Sequence, residues 1–195
     1  MEYDILRYTT FTLPDNTIIY LTQRPDAAKG ESVNDFIDSK KPDVRFCFCD
    51  DFVNVNLGRN DGTPVPFHWL PWIPDKNIPI ENVFAFLSLM ENYSKQGYKI
   101  IWLHCDSSTM RAPTFIGLYL LSKWPDQAKE IEKKVTGNND NEIEMRLKYS
   151  IPTEYAEISV ERDPGIKGLV ESWQKGGESE AYIYYMNQHK ETKNE

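Results

Sequence analysis

Residues 100–111 read IIWLHCDSSTMR, in which an apolar run leads into a cysteine that five residues separate from an arginine. The apolar run predicts a buried strand, and the residues after Arg111 predict an amphipathic helix. A loop between a strand and a helix N-terminus points backbone N–H groups at a bound anion, and the helix dipole strengthens the attraction. The segment therefore predicts a phosphate-binding loop, whose residues are Asp106, Ser107, Ser108, Thr109, Met110 and Arg111.

Cys105 and Arg111 have side chains suited to phosphoryl transfer. The thiolate is the nucleophilic form of cysteine, and we expect the field of the loop to lower the pKa of Cys105. The planar guanidinium of Arg111 can hold two phosphate oxygens while charge shifts during transfer. The pair therefore indicates cysteine-dependent phosphoryl transfer, which needs no metal ion and no other cofactor.

The pattern His-Cys-x5-Arg, from His104 to Arg111, resembles the signature of the protein tyrosine phosphatase superfamily, above all its compact dual-specificity branch. The segment WIPDKNIP at 72–79 resembles the Trp-Pro-Asp loop of that family with one residue inserted. The similarity extends over residues 18–124. It implies that Cys105 forms a cysteinyl phosphate, that Asp75 is the general acid, and that His104 orders the loop without touching the substrate.

The assignment of the acid leaves alternatives open. Asp75 lies in an Asp-Lys-Asn sequence between two prolines, which is also typical of an ordinary solvated turn. Asp61, Asp50 and Asp51 are competing acids upstream of the loop.

The loop departs from the family pattern at two positions, Ser108 and Ala112, and a third residue, Asp106, affects the charge beside the nucleophile. Ser108 stands where a glycine is usual, which matters if the backbone there needs a positive φ. Ala112 stands where a serine or threonine hydroxyl usually stabilises the departing thiolate, although Ser107, Thr109 or Thr114 could compensate. Asp106 adds a negative charge beside the nucleophile, which opposes a lowered thiol pKa unless its side chain points to solvent.

Two classes of function follow from this pattern. The first is a phosphatase that acts on a phosphorylated protein or a small phosphate ester. Phosphotyrosine fits a deep pocket, and phosphoserine and phosphothreonine fit a shallow one. The loop has no lysine or second arginine, which disfavours inositol phosphates and RNA 5′ ends. The second class is a weak or inactive phosphatase-like module that binds phosphoproteins, for which the unusual Ser108 and Ala112 argue.

Cys49 follows the apolar sequence VRFCF at 44–48. By resemblance it is a possible redox partner of Cys105, because some relatives join a second cysteine to their nucleophile under oxidation. Simple burial is the alternative. The three cysteines show no metal-ligand pairing with His68, His104 or His189, so we expect neither a disulfide scaffold nor a metal site.

The composition fits a single domain over residues 1–188 with a disordered tail at 189–195, in a chain of 195 residues. A net charge of −8 gives no general attraction to nucleic acid or to an anionic membrane, so neither is an expected partner. The first residues lack the charged start and the apolar stretch of a signal peptide, and we expect a cytoplasmic protein. The oligomeric state is left open.

Strand-like and helix-like segments alternate along the chain, which favours an α/β fold with a mainly parallel sheet and helices on both faces. The phosphate loop then lies at the carboxyl end of a strand, where such folds bind ligands. Strands are predicted at 17–22 (in a hairpin starting near residue 11), 44–49, 65–69 and 98–103. Helices are predicted from about 32, at 79–96, after 111, and at 126–135, 142–149, 164–173 and 178–188, with a polar loop at 136–141.

Overall fold

The computed structural model describes residues 4–51, 59, 61–73, 76–149 and 151–191, which form a central six-stranded sheet flanked by helices. The strands are β1 (Tyr8–Thr12), β2 (Ile18–Thr22), β3 (Val44–Cys47), β4 (Phe67–Trp69), β5 (Ile100–His104) and β6 (Thr136–Gly137). They lie in the order β4-β3-β5-β2-β1-β6. The first four strands of that order are parallel, whereas β1 and β6 pair antiparallel at the other edge. The predicted mainly parallel α/β sheet is confirmed.

Helices cover both faces of the sheet, also as predicted. They are α1 (Gly30–Lys40), α2 (Ile80–Lys95), α3 (Arg111–Lys123), α4 (Ala128–Glu132), α5 (Asp140–Tyr149), α6 (Ile151–Arg162) and α7 (Pro164–Glu191), with a short 3-10 helix at Pro25–Ala27. Side chains alternate between the faces along a strand. Trp102 of β5 therefore packs with Phe36 of α1 on one face, whereas Leu103 packs with Phe115 of α3 in the main core on the other.

Three elements lie where the sequence predicts none, and one of them is the 3-10 helix at Pro25–Ala27. β6 falls inside the predicted polar loop, because its two residues form a strand only by pairing with β1. α6 has no predicted counterpart. It begins at Ile151-Pro152, and proline is tolerated in the first turn of a helix. α6 crosses α3 so closely that a Cβ on Gly117 would overlap the Pro152 carbonyl.

The C-terminal region contains the two predicted helices as one kinked element, α7. The kink lies at Gly176 and Gly177, and the φ of 65° at Gly177 is a left-handed conformation that favours glycine. α7 packs against α2 and α3 and extends to Glu191, through the first residues of the predicted tail. The rest of that tail, 192–195, lies outside the described residues. Among the described helices, none combines the length and the apolar character needed to cross a bilayer.

Candidate active site

The phosphate-loop segment lies between the end of β5 at His104 and the start of α3 at Arg111, which is the predicted strand–loop–helix arrangement. The main core of the sheet packs against α3 and so fixes both ends of the loop. A cavity of about 240 Å³ opens over it. Its lining residues are Cys105, Asp106, Ser107, Thr109, Met110 and Arg111.

Cys105 lies at the bottom of the loop and is only 2% exposed. Its sulfur accepts hydrogen bonds from the backbone N–H groups of Ala112 and Ser108, which favour the thiolate. Burial nevertheless outweighs these donors and raises the pKa of the Cys105 thiol. The expected lowering of the pKa is therefore wrong for the loop without a bound anion. Removal of the sulfur from water penalises its charged form more than the loop dipoles favour it, and Asp106 adds to that penalty.

Arg111 is held by acceptors on both sides of its guanidinium. One terminal nitrogen, Nη1, donates to Asp50 Oδ1 at 2.7 Å and to the Trp72 carbonyl at 3.1 Å. The other, Nη2, donates to the Asp106 carboxylate, which also pairs with Arg24 at 3.2 Å. Asp106 thus points at Arg111 and Arg24 and not freely to solvent. A phosphate that binds Arg111 through both nitrogens must displace a carboxylate.

Ser108, which stands where a glycine is usual, has a left-handed backbone with a φ of 60°. For a residue with a Cβ this conformation costs about 1–2 kcal/mol. Arg146 of α5 compensates, because its Nη2 donates to the Ser108 carbonyl at 2.6 Å and contacts Ser108 Oγ at 3.1 Å. Both side chains are buried. Arg146 therefore holds the loop in a conformation that glycine would adopt without such support.

Sequence reasoning missed Arg146. Its helix is rich in charged residues, so the sequence gives no sign that this cation points inward. The sequence gives only an indirect signal, because a serine at a position that favours glycine needs an additional contact to stabilise its backbone.

The hydroxyls near Cys105 have other partners. Ser107 and Thr109 bond to each other at 2.6 Å, and Thr114 Oγ1 donates to the Met110 carbonyl at 2.8 Å. Ser108 Oγ faces Arg146. None of these hydrogen bonds goes to the Cys105 sulfur, so the compensation considered for the missing hydroxyl at Ala112 is not made in this conformation.

Asp75, the predicted general acid, lies outside the described residues. The residues that flank it, Trp72 and Lys76, are joined by a hydrogen bond of 2.9 Å from Trp72 Nε1 to the Lys76 carbonyl. Both line a cavity of about 540 Å³, and Met110 borders this cavity as well as that of the phosphate loop. The two ends of the segment therefore lie at the site.

The competing acids have positions that disfavour proton donation. Hydrogen bonding to Arg111 lowers the pKa of Asp50, which keeps its carboxylate ionised near neutrality. Asp51 pairs with Arg24 at 2.9 Å. Asp61 is exposed in a turn, where the Thr63 backbone N–H lowers its pKa. A general acid must carry its proton at the working pH, which neither Asp50 nor Asp61 does.

His104 and Cys49 lie behind the loop with Cys47. Burial lowers the pKa of His104, which favours a neutral ring; neither ring nitrogen has a partner in good hydrogen-bond geometry among the described residues, and the Cys47 thiol lies beside the ring. Ligand atoms of Cys47, Cys49 and His104 lie within 4.8 Å of one another. The sequence shows no metal-ligand spacing among these residues, but β3 and β5 bring together side chains that are distant in the sequence. A disulfide between Cys49 and Cys105 stays a prediction, and both thiols are free.

Solved structures with a similar fold were found, whereas no protein-family model matches the sequence and no curated protein matches it. The catalytic core of Siw14 is 15% identical, with a TM-score of 0.52 over 88% of this chain and 92% of that structure. The core catalytic domain of the PP-IP phosphatase Siw14 from S. cerevisiae, solved with citrate, is 15% identical, with a TM-score of 0.50 over 82% and 87% of the two chains. At this identity the likeness concerns the fold. The chain has the fold of the protein tyrosine phosphatase superfamily, as the resemblance of its sequence predicts.

Proposed function

We propose that the protein hydrolyses phosphate monoesters through a cysteinyl-phosphate intermediate. The observation that carries the proposal is the position of Cys105, whose sulfur faces the backbone donors of Ser108 and Ala112 beside Arg111 in a strand–loop–helix cradle. Donors placed around a bound phosphate stabilise the charge that develops on its oxygens during transfer.

The first chemical step joins Cys105 Sγ to phosphorus while the bond from phosphorus to the ester oxygen breaks. Asp75 gives its proton to that leaving oxygen. In the second step a water oxygen attacks phosphorus, its proton passes to Asp75, and the phosphorus–sulfur bond breaks to restore the thiolate. The assignment of Asp75 is supported by the position of Trp72 and Lys76 at the cavity and by the lowered pKa of Asp50.

Substrate binding must also displace a carboxylate from Arg111. A phosphate dianion competes with the Asp106 carboxylate for Arg111, and its arrival releases one of the two acids that hold the guanidinium. The carboxylate that leaves is one of the groups that raise the pKa of Cys105, but the arriving dianion carries more negative charge than it. The Cys105 thiol therefore transfers its proton to solvent or to a phosphate oxygen before the sulfur attacks.

The larger cavity beside the loop supports a substrate whose phosphate is attached to an aromatic or extended group. Apolar side chains of Trp72, Ile78 and Ile158 line it together with Tyr155, and Lys76, Arg162 and Asp163 add charged groups. The apolar part suits the ring of phosphotyrosine, and the charged part suits the flanking residues of a phosphorylated peptide. A protein phosphatase of the dual-specificity type is therefore the substrate class that we propose.

The second candidate function is a phosphate-binding module with little turnover. Two carboxylates on Arg111 and the raised thiol pKa of Cys105 favour it. The two functions differ in one measurable respect, which is release of the alcohol from a bound ester.

A turnover experiment tests the proposal. The full chain is assayed with p-nitrophenyl phosphate and with phosphotyrosine and phosphothreonine peptides, in the presence of EDTA. We expect hydrolysis by the natural chain, trapping of a cysteinyl phosphate by acid quench, and loss of both in Cys105→Ser. Phosphate binding without turnover in the natural chain would instead support the binding module. Equal turnover by Cys105→Ser would refute the covalent mechanism.

A further inference from the structure

The sheet brings two cysteines and a histidine together on the face opposite the nucleophile. Cys47 of β3 and His104 of β5 are paired in the parallel register. Trp102 shares the side of His104, because side chains alternate along a strand, and it packs towards α1. Cys105, in contrast, packs in the main core with α2 and α3.

The three side chains form a compact set of ligand atoms. The sulfurs of Cys47 and Cys49 and a ring nitrogen of His104 all lie within 4.8 Å of one another, and each residue is 0% exposed. Oxygen atoms of Asp51 and Asp106 lie within the same distance of the Cys49 sulfur. The buried group therefore has carboxylates at its outer edge.

The weakly paired imidazole is the independent sign that this group has a ligand. Both ring nitrogens of His104 are buried and have no partner in good hydrogen-bond geometry among the described residues; the Cys47 thiol is the side chain that interacts with the ring. The neighbouring hydroxyl, Thr22 Oγ1, already accepts from Trp102 Nε1 and donates to the Gln23 carbonyl. Buried polar groups in native proteins are almost always paired with protein, water or an ion.

We propose that Cys47, Cys49 and His104 bind a thiophilic metal ion, Zn²⁺ in the first instance, with a carboxylate of Asp106 or Asp51 as the fourth ligand. Two thiolates and an imidazole are the donors that Zn²⁺ prefers, at about 2.3 Å and 2.0–2.1 Å, whereas Mg²⁺ and Ca²⁺ prefer oxygen. Binding releases the thiol protons to solvent as the metal–sulfur bonds form. To serve as the fourth ligand, the Asp51 or Asp106 carboxylate exchanges its ion pair with Arg24 for the metal.

The site links the ends of β3 and β5 immediately before the phosphate loop. His104 and Asp106 are the two neighbours of Cys105 in the chain, so an occupied site would hold both sides of the nucleophile. The inference does not depend on phosphatase activity, because its ligands are separate from Cys105 and its readout is metal binding.

Metal titration of the full, untagged chain tests the site. The protein is stripped with EDTA, kept reduced, and titrated with Zn²⁺ against a chromophoric chelator. The background is Cys105→Ser, which removes the active-site thiol and leaves the proposed ligands intact. We expect one Zn²⁺ per chain in this background and at least about tenfold weaker binding when Cys47→Ser or Cys49→Ser is added.

A spectroscopic measurement keeps the test independent of how the ligand variants fold. X-ray absorption at the zinc edge of the loaded Cys105→Ser chain should give two sulfur ligands and two nitrogen or oxygen ligands. Co²⁺ in its place should give a thiolate charge-transfer band. Absence of stoichiometric binding, or binding that is lost with Cys105→Ser alone, would overturn the proposal, because the metal would then have no site or would sit on the catalytic thiol.

Discussion

Two buried arginines support the phosphate loop in opposite ways. Arg111 and Arg146 are equally inaccessible, at 5% and 4% exposure, so burial does not distinguish their roles. Arg111 is held by the carboxylates of Asp50 and Asp106, which an incoming phosphate can replace. Arg146 is bonded to the Ser108 carbonyl of the loop itself, which no ligand replaces. The difference defines an exchangeable side of the loop, where Arg111 can change its acidic partners for a phosphate, and a fixed side, where Arg146 keeps its contact with Ser108.

The largest effect should come from the proposed general acid, Asp75, whose neighbour in sequence, Trp72, accepts a hydrogen bond from Arg111. Asp75→Asn should reduce kcat by roughly two to four orders of magnitude on phenyl phosphate, whose leaving oxygen needs a proton. The loss on p-nitrophenyl phosphate should be smaller, because its leaving group is stable as an anion. Steady-state kinetics on the two esters measures the difference.

Asp61→Asn is the matched control for this experiment. Asp61 is exposed, and the asparagine side chain can still accept the hydrogen bond from the Thr63 backbone. We expect activity near that of the natural chain. Equal losses of Asp75→Asn on both esters, or a large loss in Asp61→Asn, would contradict the assignment of Asp75.

Replacement of each arginine by lysine compares the two cations directly. Arg111→Lys should lower kcat/KM by about 10²–10³-fold, since an ammonium keeps the charge but cannot hold two oxygens as a fork. Arg146→Lys should cost much less, because only one nitrogen of Arg146 reaches Ser108. Kinetics on one ester, with thermal unfolding as the check on folding, measures both. Similar losses at the two positions would remove the proposed distinction.

The fixed side is tested by a double-mutant cycle on Ser108 and Arg146. Arg146→Met keeps the length of the side chain and removes its donors, and we expect kcat/KM to fall by roughly 10- to 100-fold as the loop relaxes. Ser108→Gly removes the cost of the positive φ. In the Ser108→Gly background the Arg146→Met loss should shrink, with a coupling energy of about 0.5–3 kcal/mol. Additive effects would show that Arg146 does not act through Ser108.

The sequence predicts the residues on the substrate side of the loop, such as Arg111, but not those behind it, such as Arg146. Cys105, Arg111 and the strand–loop–helix are contiguous in the chain, so a local pattern is enough to find them. Arg146 contacts the loop from a helix with no distinguishing pattern. The grouping of Cys47 with His104 depends on which strands are neighbours and in which register they pair. Such pairings depend on the topology of the assembled sheet, which no local pattern in a single sequence specifies.

The exchangeable carboxylate should also set the pH dependence. Asp106 raises the pKa of Cys105, so Asp106→Asn lowers it, and the ascending limb of kcat/KM against pH should move to lower pH. Removal of about 1 kcal/mol of charge repulsion should tighten phosphate or vanadate inhibition roughly fivefold. A pH–rate profile and an inhibition titration measure the two effects. An unchanged limb would mean that burial alone raises the thiol pKa.

The smallest effect concerns Ala112, which is buried and contributes only its backbone N–H to the Cys105 sulfur. The missing hydroxyl should slow breakdown of the cysteinyl phosphate more than its formation, because only breakdown has the thiolate as leaving group. Rapid mixing with an aryl phosphate should therefore give a burst of phenol near one equivalent, followed by a slow steady rate.

Ala112→Ser should speed the steady phase several-fold, as expected for one added hydrogen bond of about 1 kcal/mol, and leave the burst rate nearly unchanged. Thr114→Val is the matched control, since its hydroxyl donates to the Met110 carbonyl and not to the sulfur. This control should not alter the ratio of the two phases. If the natural chain shows no burst and Ala112→Ser leaves turnover unchanged, formation of the cysteinyl phosphate limits the reaction. In that case the slow step is the one in which the phosphate must displace Asp106 from Arg111, on the exchangeable side of the loop.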